Sequence, residues 1–126
     1  MNPARITLTV TQGSIKGKEY VFEAQTRCII GRAEDCNIRL PMDTAHCDIS
    51  RHHCELDIDP PRIQVRDLGS RNGTFVNGEK IGQRPSHQQQ REVDPRGFPA
   101  QELNEGDTVQ VGHLVFEVKE RVAPGR

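Results

Sequence analysis

The sequence has few aromatic residues and no tryptophan, and neither sign of charge predominates. Aromatic side chains make up 4% of its 126 residues, and the formal net charge is -1. A near-neutral chain gives no indication of binding to nucleic acid or to a charged membrane surface. No apolar run approaches the length of about 18 residues typical of a transmembrane helix, and the first residues contain no apolar signal-peptide core. We therefore expect a cytoplasmic location, and neither nucleic acid nor a membrane as a partner.

The four cysteines form no CxxC pair. Cytosolic thiols are expected to stay reduced, and Cys28 and Cys54 lie in strand-like segments, which favours buried free cysteines. A zinc site is the alternative, with His46, Cys47, His52 and Cys54 as its possible ligands. Adjacent residues such as His46 and Cys47 cannot easily both reach one metal ion, so we predict no metal and no cofactor.

Short segments of alternating apolar and polar residues predict β-strands throughout the chain. The alternation is clearest over residues 6–10 and 53–58. Asn77-Gly78 separates two such segments and is typical of a type I′ hairpin turn. About ten short strands with turn residues between them, and no helical period, predict an all-β sandwich or barrel. The length favours a single domain, residues 1–126, with a core over about residues 6–118.

Residues 83–101 do not follow the strand pattern. They are rich in Gln, Pro, Arg and His and include Gln88-Gln89-Gln90. A loop of this length without periodicity is uncommon inside a compact domain, so the segment is either a flexible insertion or a contact surface. Its polar composition favours the insertion.

Three short polar stretches lie beside predicted strands and carry groups that bind anions. They hold arginines, a hydroxyl, an amide and turn-forming glycines: Gly31-Arg32, Ser50-Arg51 and Gly69-Ser70-Arg71-Asn72-Gly73. Loops at one end of a β-sandwich cluster in space. If these three loops meet, their side chains would suit a doubly charged oxyanion such as a phosphorylated side chain.

The order of these stretches resembles the forkhead-associated (FHA) domain family. The matching segments are residues 30–32, 36–40, 49–56, 67–78 and 103–112, and the resemblance extends from about Ile6 to Val118. It implies a β-sandwich of about eleven mostly antiparallel strands with ligand loops at one end. It also implies a module that binds phosphothreonine in partner proteins, the partner being a Ser/Thr kinase or its substrate.

The resemblance implies a role for each polar residue of the three loops. Arg32, Ser50 and Arg51 would bind the phosphate, and Arg71 and Asn72 would hold the peptide main chain. The family's preference for threonine over serine implies a small pocket for the additional methyl group.

Other residues would shape the loops without contacting the ligand, namely Gly31, His53, Gly69 and Gly73. Asp48 lies in a loop longer than the family's minimal version, and we expect it to favour a basic residue three positions after the phosphothreonine. The insertion at 83–101 is expected to lie away from the phosphate loops.

Two other kinds of function are weighed against this one. The chain could act as a phosphate-independent scaffold or self-association domain, which an exposed apolar patch on the sheet would favour. An enzyme is not expected, because the sequence offers no credible Ser-His-Asp or Cys-His arrangement, metal cluster or P-loop.

Overall fold

A computed structural model of the protein describes residues 4–40, 48–85 and 97–122. Over these residues the chain forms eleven β-strands, which confirms the predicted all-β fold. The described residues contain no helix long and apolar enough to cross a membrane. The strands are β1 Arg5–Gln12, β2 Glu19–Phe22, β3 Thr26–Gly31, β4 Ile38–Arg39, β5 Cys54–Asp59, β6 Arg62–Asp67, β7 Thr74–Val76, β8 Glu79–Gly82, β9 Gln101–Glu102, β10 Thr108–Val111 and β11 Leu114–Val122.

The strands form two sheets that pack face to face. One has six strands in the order β2-β1-β11-β10-β7-β8, and the other has five in the order β4-β3-β5-β6-β9. Neighbouring strands run antiparallel except β3 and β4, which are parallel. The arrangement is a β-sandwich, in which the inward-facing side chains of both sheets make one core.

Burial follows the alternation that the sequence predicted. In β5, Cys54, Leu56 and Ile58 are at most 1% exposed, whereas the residues between them face outward. In β11 the buried positions include Phe116, whose ring centroid lies 6.3 Å from that of Tyr20. Aliphatic side chains from both sheets therefore supply the core of this aromatic-poor chain.

The burial predicted for Cys28 and Cys54 is confirmed, and Cys36 is buried as well. Cys28, Cys36 and Cys54 are buried free thiols. Burial raises the pKa of Cys28 to about 11 and that of Cys54 well above its ordinary value. Cys47 and the neighbouring His46 lie outside the described residues.

The strand register brings the ends of three strands to one edge of the sandwich. Ile30, near the end of β3, pairs with Cys54 at the start of β5, and Cys54 pairs with Asp67 at the end of β6. The segments that leave or enter these strands therefore begin side by side. They include all three of the polar stretches that the sequence predicts to converge.

The hairpin predicted at Asn77-Gly78 is confirmed. Its two central residues have φ angles of 50° and 85°, as a type I′ turn requires. The Asn77 side chain also accepts a hydrogen bond from the Thr108 backbone N–H at 3.0 Å and donates one to Asp107 at 3.0 Å. The turn is thereby fixed to the start of β10.

A strand that the sequence did not indicate begins at the last residue of the predicted insertion. β9 pairs with β6 through Gln64–Glu102 and Val65–Gln101. Two exposed polar residues are too few to show a period of two, so the pattern could not reveal the strand. Residues 86–96 of the insertion lie outside the described part of the chain.

Candidate functional site

Gly31 allows the end of β3 to pass directly against the loop that carries Ser50. A Cβ atom built at Gly31 would lie 2.1 Å from the carbonyl oxygen of Arg51, so a side chain cannot fit there. The backbone N–H of Arg32 donates to the carbonyl of Ser50 at 3.2 Å. Arg32 is a half-buried residue, and its Nε–H donates to the carbonyl of Ile49 at 3.0 Å, which orients the guanidinium.

Ser50 joins this loop to the loop between β6 and β7. Its Oγ accepts a hydrogen bond from the Arg71 backbone N–H at 2.9 Å. The Asn72 Nδ2–H donates to the carbonyl of Asp48 at 3.1 Å, so the contact between the loops is double. Because Oγ acts as an acceptor here, the hydroxyl hydrogen of Ser50 remains able to donate to a ligand oxygen. Arg71 and Asn72 are exposed beside it.

Arg51 is exposed and contributes to an arginine-lined cavity beside Arg32. The cavity has a volume of about 700 Å³, and Arg39 lies on its wall together with Arg32 and Arg51. The Arg39 Nε–H donates to the Arg32 carbonyl at 3.3 Å. Glu34 and Asp35 lie on the same wall and offset part of the positive charge. Three guanidiniums around one cavity suit a polyanionic group that accepts several hydrogen bonds.

His53 lies fully buried behind the loops and bonds to two of them. Its Nδ1 accepts the backbone N–H of Ser50 at 3.1 Å, and its Nε2 lies 2.8 Å from the carbonyl oxygen of Gly73. These partners require a neutral ring with the hydrogen on Nε2, since Nδ1 must accept and Nε2 must donate. Burial lowers the pKa of His53 below its ordinary value and keeps the ring neutral.

Asp67 organises the loop that presents Arg71 and Asn72. One carboxylate oxygen accepts the backbone N–H groups of Gly69 and Ser70 at 2.8 and 3.0 Å. The other accepts the hydroxyls of Ser70 and Thr74 at 2.5 and 2.6 Å. Ser70 Oγ in turn accepts the backbone N–H of Gly73 at 2.9 Å. The fully buried carboxylate therefore has four donors and fixes the loop from beneath.

Sequence reasoning gave no role to Asp67 or Ser70, although a signal was present. An Asp whose side chain accepts N–H groups two and three residues later is a common turn device, and the following Gly69 and Ser70 fit it. Gly69 and Gly73 have φ angles of 81° and 93°, a region that favours glycine. These φ angles are consistent with the loop-shaping role that the sequence predicts for both glycines.

Asp48, the candidate for peptide selectivity, has a partner within the chain. Its Oδ1 lies 3.1 Å from Nδ1 of His113, and Nε2 of His113 lies 3.1 Å from Oγ of Ser14. A Ser–His–Asp series of this kind was not apparent from the sequence, because the three residues lie far apart in it. The series connects two turns to the loop that precedes Ser50. The Asp48 carboxylate thus already has a partner in His113.

One group of possible metal ligands differs from the set considered in the sequence. Ligand atoms of Asp35, Cys36 and His52 lie within 4.8 Å of one another. His52 Nε2 is 2.8 Å from the Asp35 carboxylate, and the Cys36 thiol donates to the Arg51 carbonyl at 3.1 Å. Burial raises the pKa of Cys36, which keeps the thiol protonated. Cys54 is buried in β5, so it does not join this group.

The start of the insertion contacts the loop of Arg71, so the expectation that it lies away from the phosphate loops is wrong for these residues. The backbone N–H of Arg84 donates to the Ser70 carbonyl at 2.8 Å, and Gln83 Nε2–H donates to the Arg71 carbonyl at 2.7 Å. The reason is the register of β7 and β8. Gly82, at the end of β8, pairs with Thr74, which directly follows the loop, so β8 ends beside it.

Comparison with known proteins gives relatives that carry the same domain. FhaA, an FHA domain-containing protein of Mycobacterium tuberculosis, is 34% identical over 116 residues, which cover 90% of this chain and 17% of FhaA. The glycogen accumulation regulator GarA of Mycolicibacterium smegmatis is 32% identical over 111 residues, 86% of this chain and 56% of GarA. The chain thus spans only part of the length of these curated relatives.

A solved structure agrees with this match over almost the whole chain. It comes from a structural and functional analysis of phosphothreonine-dependent FHA domain interactions and is 28% identical in sequence. Its TM-score is 0.66, and the alignment covers 96% of this chain and 99% of the other. The family profile described as FHA domain matches residues 28–112, more than half of the sequence. The chain therefore belongs to the FHA domain family.

Proposed function

We propose that the chain is a phosphothreonine-dependent peptide-binding module in Ser/Thr-kinase signalling. The observation that carries the proposal is the position of Ser50 between the other two loops. Its carbonyl is bonded to the N–H of Arg32, and its Oγ is bonded to the N–H of Arg71. The chain's own hydrogen bonds thus bring together groups whose chemistry suits a phosphate and a peptide backbone.

The phosphate would lie against Arg32, Ser50 and Arg51. A phosphorylated threonine carries about 1.5 to 2 negative charges and three acceptor oxygens. The two guanidiniums supply paired N–H donors, and the Ser50 hydroxyl supplies one more. Asn72 offers both a donor and an acceptor to a peptide main chain, with Arg71 beside it. In this mode the Asn72 amide would exchange its bond to the Asp48 carbonyl for bonds to the peptide.

The partner would be a protein that carries a phosphothreonine, either a Ser/Thr kinase or a substrate of one. The named relatives include an FHA domain protein and a regulator of glycogen accumulation, which are consistent with a regulatory partner. Discrimination from phosphoserine would depend on contact with the threonine methyl group. A single methyl contact favours phosphothreonine by about 1 kcal/mol, or roughly fivefold.

The scaffold alternative receives less support from the surface. Among the described residues, Val21 is the large hydrophobic residue with high exposure, at 57%. A single exposed valine does not form the apolar patch that association through a sheet face would require. The polar loop end is the better-supported binding surface.

Calorimetry with one peptide in phosphothreonine, phosphoserine and unphosphorylated forms tests the proposal. Tight binding should require the phosphate, and Arg32→Ala should cost about 2–5 kcal/mol because it removes one partner of a charge-assisted pair. Arg32→Lys should recover only part of the affinity, since an ammonium lacks the two-pronged guanidinium geometry.

Arg62→Ala is the matched control for charge. Arg62 begins β6 and is exposed, about 17 Å along the strand from Asp67 and the loops. Its loss changes the net charge as Arg32→Ala does but should leave affinity unchanged. Undiminished binding by a folded Arg32→Ala variant would refute the site assignment, and equal binding of the unphosphorylated peptide would refute the function.

A further inference from the structure

A basic cleft lies beside the proposed peptide site, and its residues Lys80, Gln83 and Arg84 have no part in phosphate or main-chain binding as described so far. It has a volume of about 660 Å³ and is formed by the β6–β7 loop, the end of the β7–β8 hairpin and the first residues of the insertion. Its lining residues are Arg71, Asn72, Lys80, Gln83, Arg84 and Pro85.

Gln83 holds the two sides of the basic cleft together. Its Nε2–H donates to the Arg71 carbonyl at 2.7 Å, and its Oε1 accepts a hydrogen bond from Lys80 Nζ at 2.5 Å. The Arg84 backbone N–H donates to the Ser70 carbonyl at 2.8 Å. The positions of Lys80 and Arg84 relative to the β6–β7 loop are therefore set by specific contacts.

The three cations of the basic cleft have no acidic partners among the described residues. Other basic residues of the chain do, since Arg27 pairs with Glu55 and Arg5 pairs with Glu120. Lys80 contacts the Phe75 ring instead, with its Nζ 5.9 Å from the ring centroid. The chain as a whole has a net charge of -1, so this local excess does not follow from a basic composition. It is a feature of this surface.

The basic cleft shares Arg71 and Asn72 with the proposed main-chain contact. A peptide held at Asn72 would therefore pass the entrance of the cleft close to its phosphothreonine. An anionic side chain at that point would meet cations that have no acidic partner in the part of the chain that the structure describes, whereas a basic side chain would be repelled.

We propose that the basic cleft binds a second anionic side chain of the same peptide, close in sequence to the phosphothreonine. Lys80 and Arg84 are the residues that distinguish such peptides, and Arg71 contributes at the boundary with the main-chain site. The shared chemistry is that of a carboxylate or a phosphate monoester. This inference rests on the proposed function, because it requires the peptide to be anchored first at Ser50 and Arg32.

Fluorescence anisotropy with a set of phosphothreonine peptides tests the inference. One peptide has neutral residues on both sides of the phosphothreonine, and its derivatives carry a glutamate or a second phosphothreonine at each neighbouring position in turn. At the position that reaches the cleft, glutamate should tighten binding roughly fivefold, as expected for two exposed charge pairs. A second phosphate should tighten it more, because it carries about 1.5 to 2 charges.

The variants Lys80→Gln and Arg84→Gln, made singly and together, should bring the ratio of the affinities for the anionic and the neutral peptide toward one. Arg62→Gln, with the same change in net charge at the far end of β6, should leave the ratio as in the wild type. The ratio should also fall as salt rises, because the screening length shortens from about 10 Å at 0.1 M to about 3 Å at 1 M. Unfolding curves of each variant confirm that the fold is retained.

The possible results distinguish failure of the cleft inference from failure of the proposed function. If wild-type protein binds the neutral phosphopeptide but no position gives an anionic advantage, the cleft inference is wrong and the proposed function stands. If anionic peptides still bind more tightly to the double variant Lys80→Gln/Arg84→Gln, the cleft inference is also wrong. If no phosphopeptide binds, the proposed function fails and the inference fails with it. A glutamate effect without a larger phosphate effect identifies an acidic segment as the natural ligand, and the reverse identifies a doubly phosphorylated one.

Discussion

Replacement of Asp67 should reveal how much the buried carboxylate contributes to the fold and to the site above it. The Asp67→Ala change leaves the backbone N–H groups of Gly69 and Ser70 without their acceptor. An unsatisfied buried donor costs about 1–3 kcal/mol, so the two together cost about 2–6 kcal/mol. The hydroxyls of Ser70 and Thr74 also lose an ionised acceptor but can rotate toward other partners.

We therefore expect Asp67→Ala to lower the free energy of unfolding by about 4 kcal/mol, out of a total of roughly 5–15 for a domain. Asp67→Asn keeps one oxygen that can accept both N–H groups, while its NH₂ faces the two hydroxyls. Because those hydroxyls can reorient to accept, the asparagine variant should lose only about 1–2 kcal/mol.

Urea denaturation measures the free energy of unfolding of both variants. An unchanged slope of this free energy against urea concentration shows that the native and unfolded states are comparable. Asp57→Ala, an exposed position on β5, is the matched control and should stay within about 0.5 kcal/mol of the wild type. A loss below about 1 kcal/mol for Asp67→Ala would show that the loop N–H groups find other acceptors. Equal losses of unfolding free energy for the alanine and asparagine variants would contradict the argument that the oxygen kept by asparagine still accepts both N–H groups.

Three further predictions concern buried groups near the loops. Gly31→Ala should destabilise the fold by about 1–3 kcal/mol in urea denaturation, because its Cβ would lie 2.1 Å from the Arg51 carbonyl oxygen, whereas Gly97→Ala has open space and should be tolerated. Stability should fall as the pH drops below 6.5, because burial lowers the pKa of folded His53 and only the unfolded chain gains that proton. A His53→Gln variant whose free energy of unfolding keeps the same dependence on pH would contradict this origin. Cys28, whose pKa burial raises to about 11, should react with iodoacetamide at pH 8 only after unfolding, which peptide mapping by mass spectrometry can follow; rapid labelling of the native protein would contradict the burial.

The strands could be predicted because their residues alternate, and the hairpin because Asn77-Gly78 tolerates positive φ angles. Convergence of the three loops was also predictable in outline. The sequence could not give the register of Ile30, Cys54 and Asp67, which determines that the loops are adjacent, because register depends on pairing between distant segments.

The parts that escaped prediction depend on contacts between residues far apart in sequence. Asp48 reads as an exposed acidic residue, yet the fold places it beside His113. Gln83 reads as the start of a polar insertion, yet its amide bonds to the Arg71 carbonyl. A local pattern reports periodicity and turn chemistry, whereas such pairings follow from the packing of one turn against another.

The hydrogen bonds that join the three loops have a consequence for the kinetics of binding. Ser50, His53 and Asn72 restrain the loops through the chain's own contacts, so a peptide need not impose order on them. The entropy lost on association then comes mainly from the peptide. Different peptides should consequently associate at similar rates, and preference among them should appear as differences in residence time.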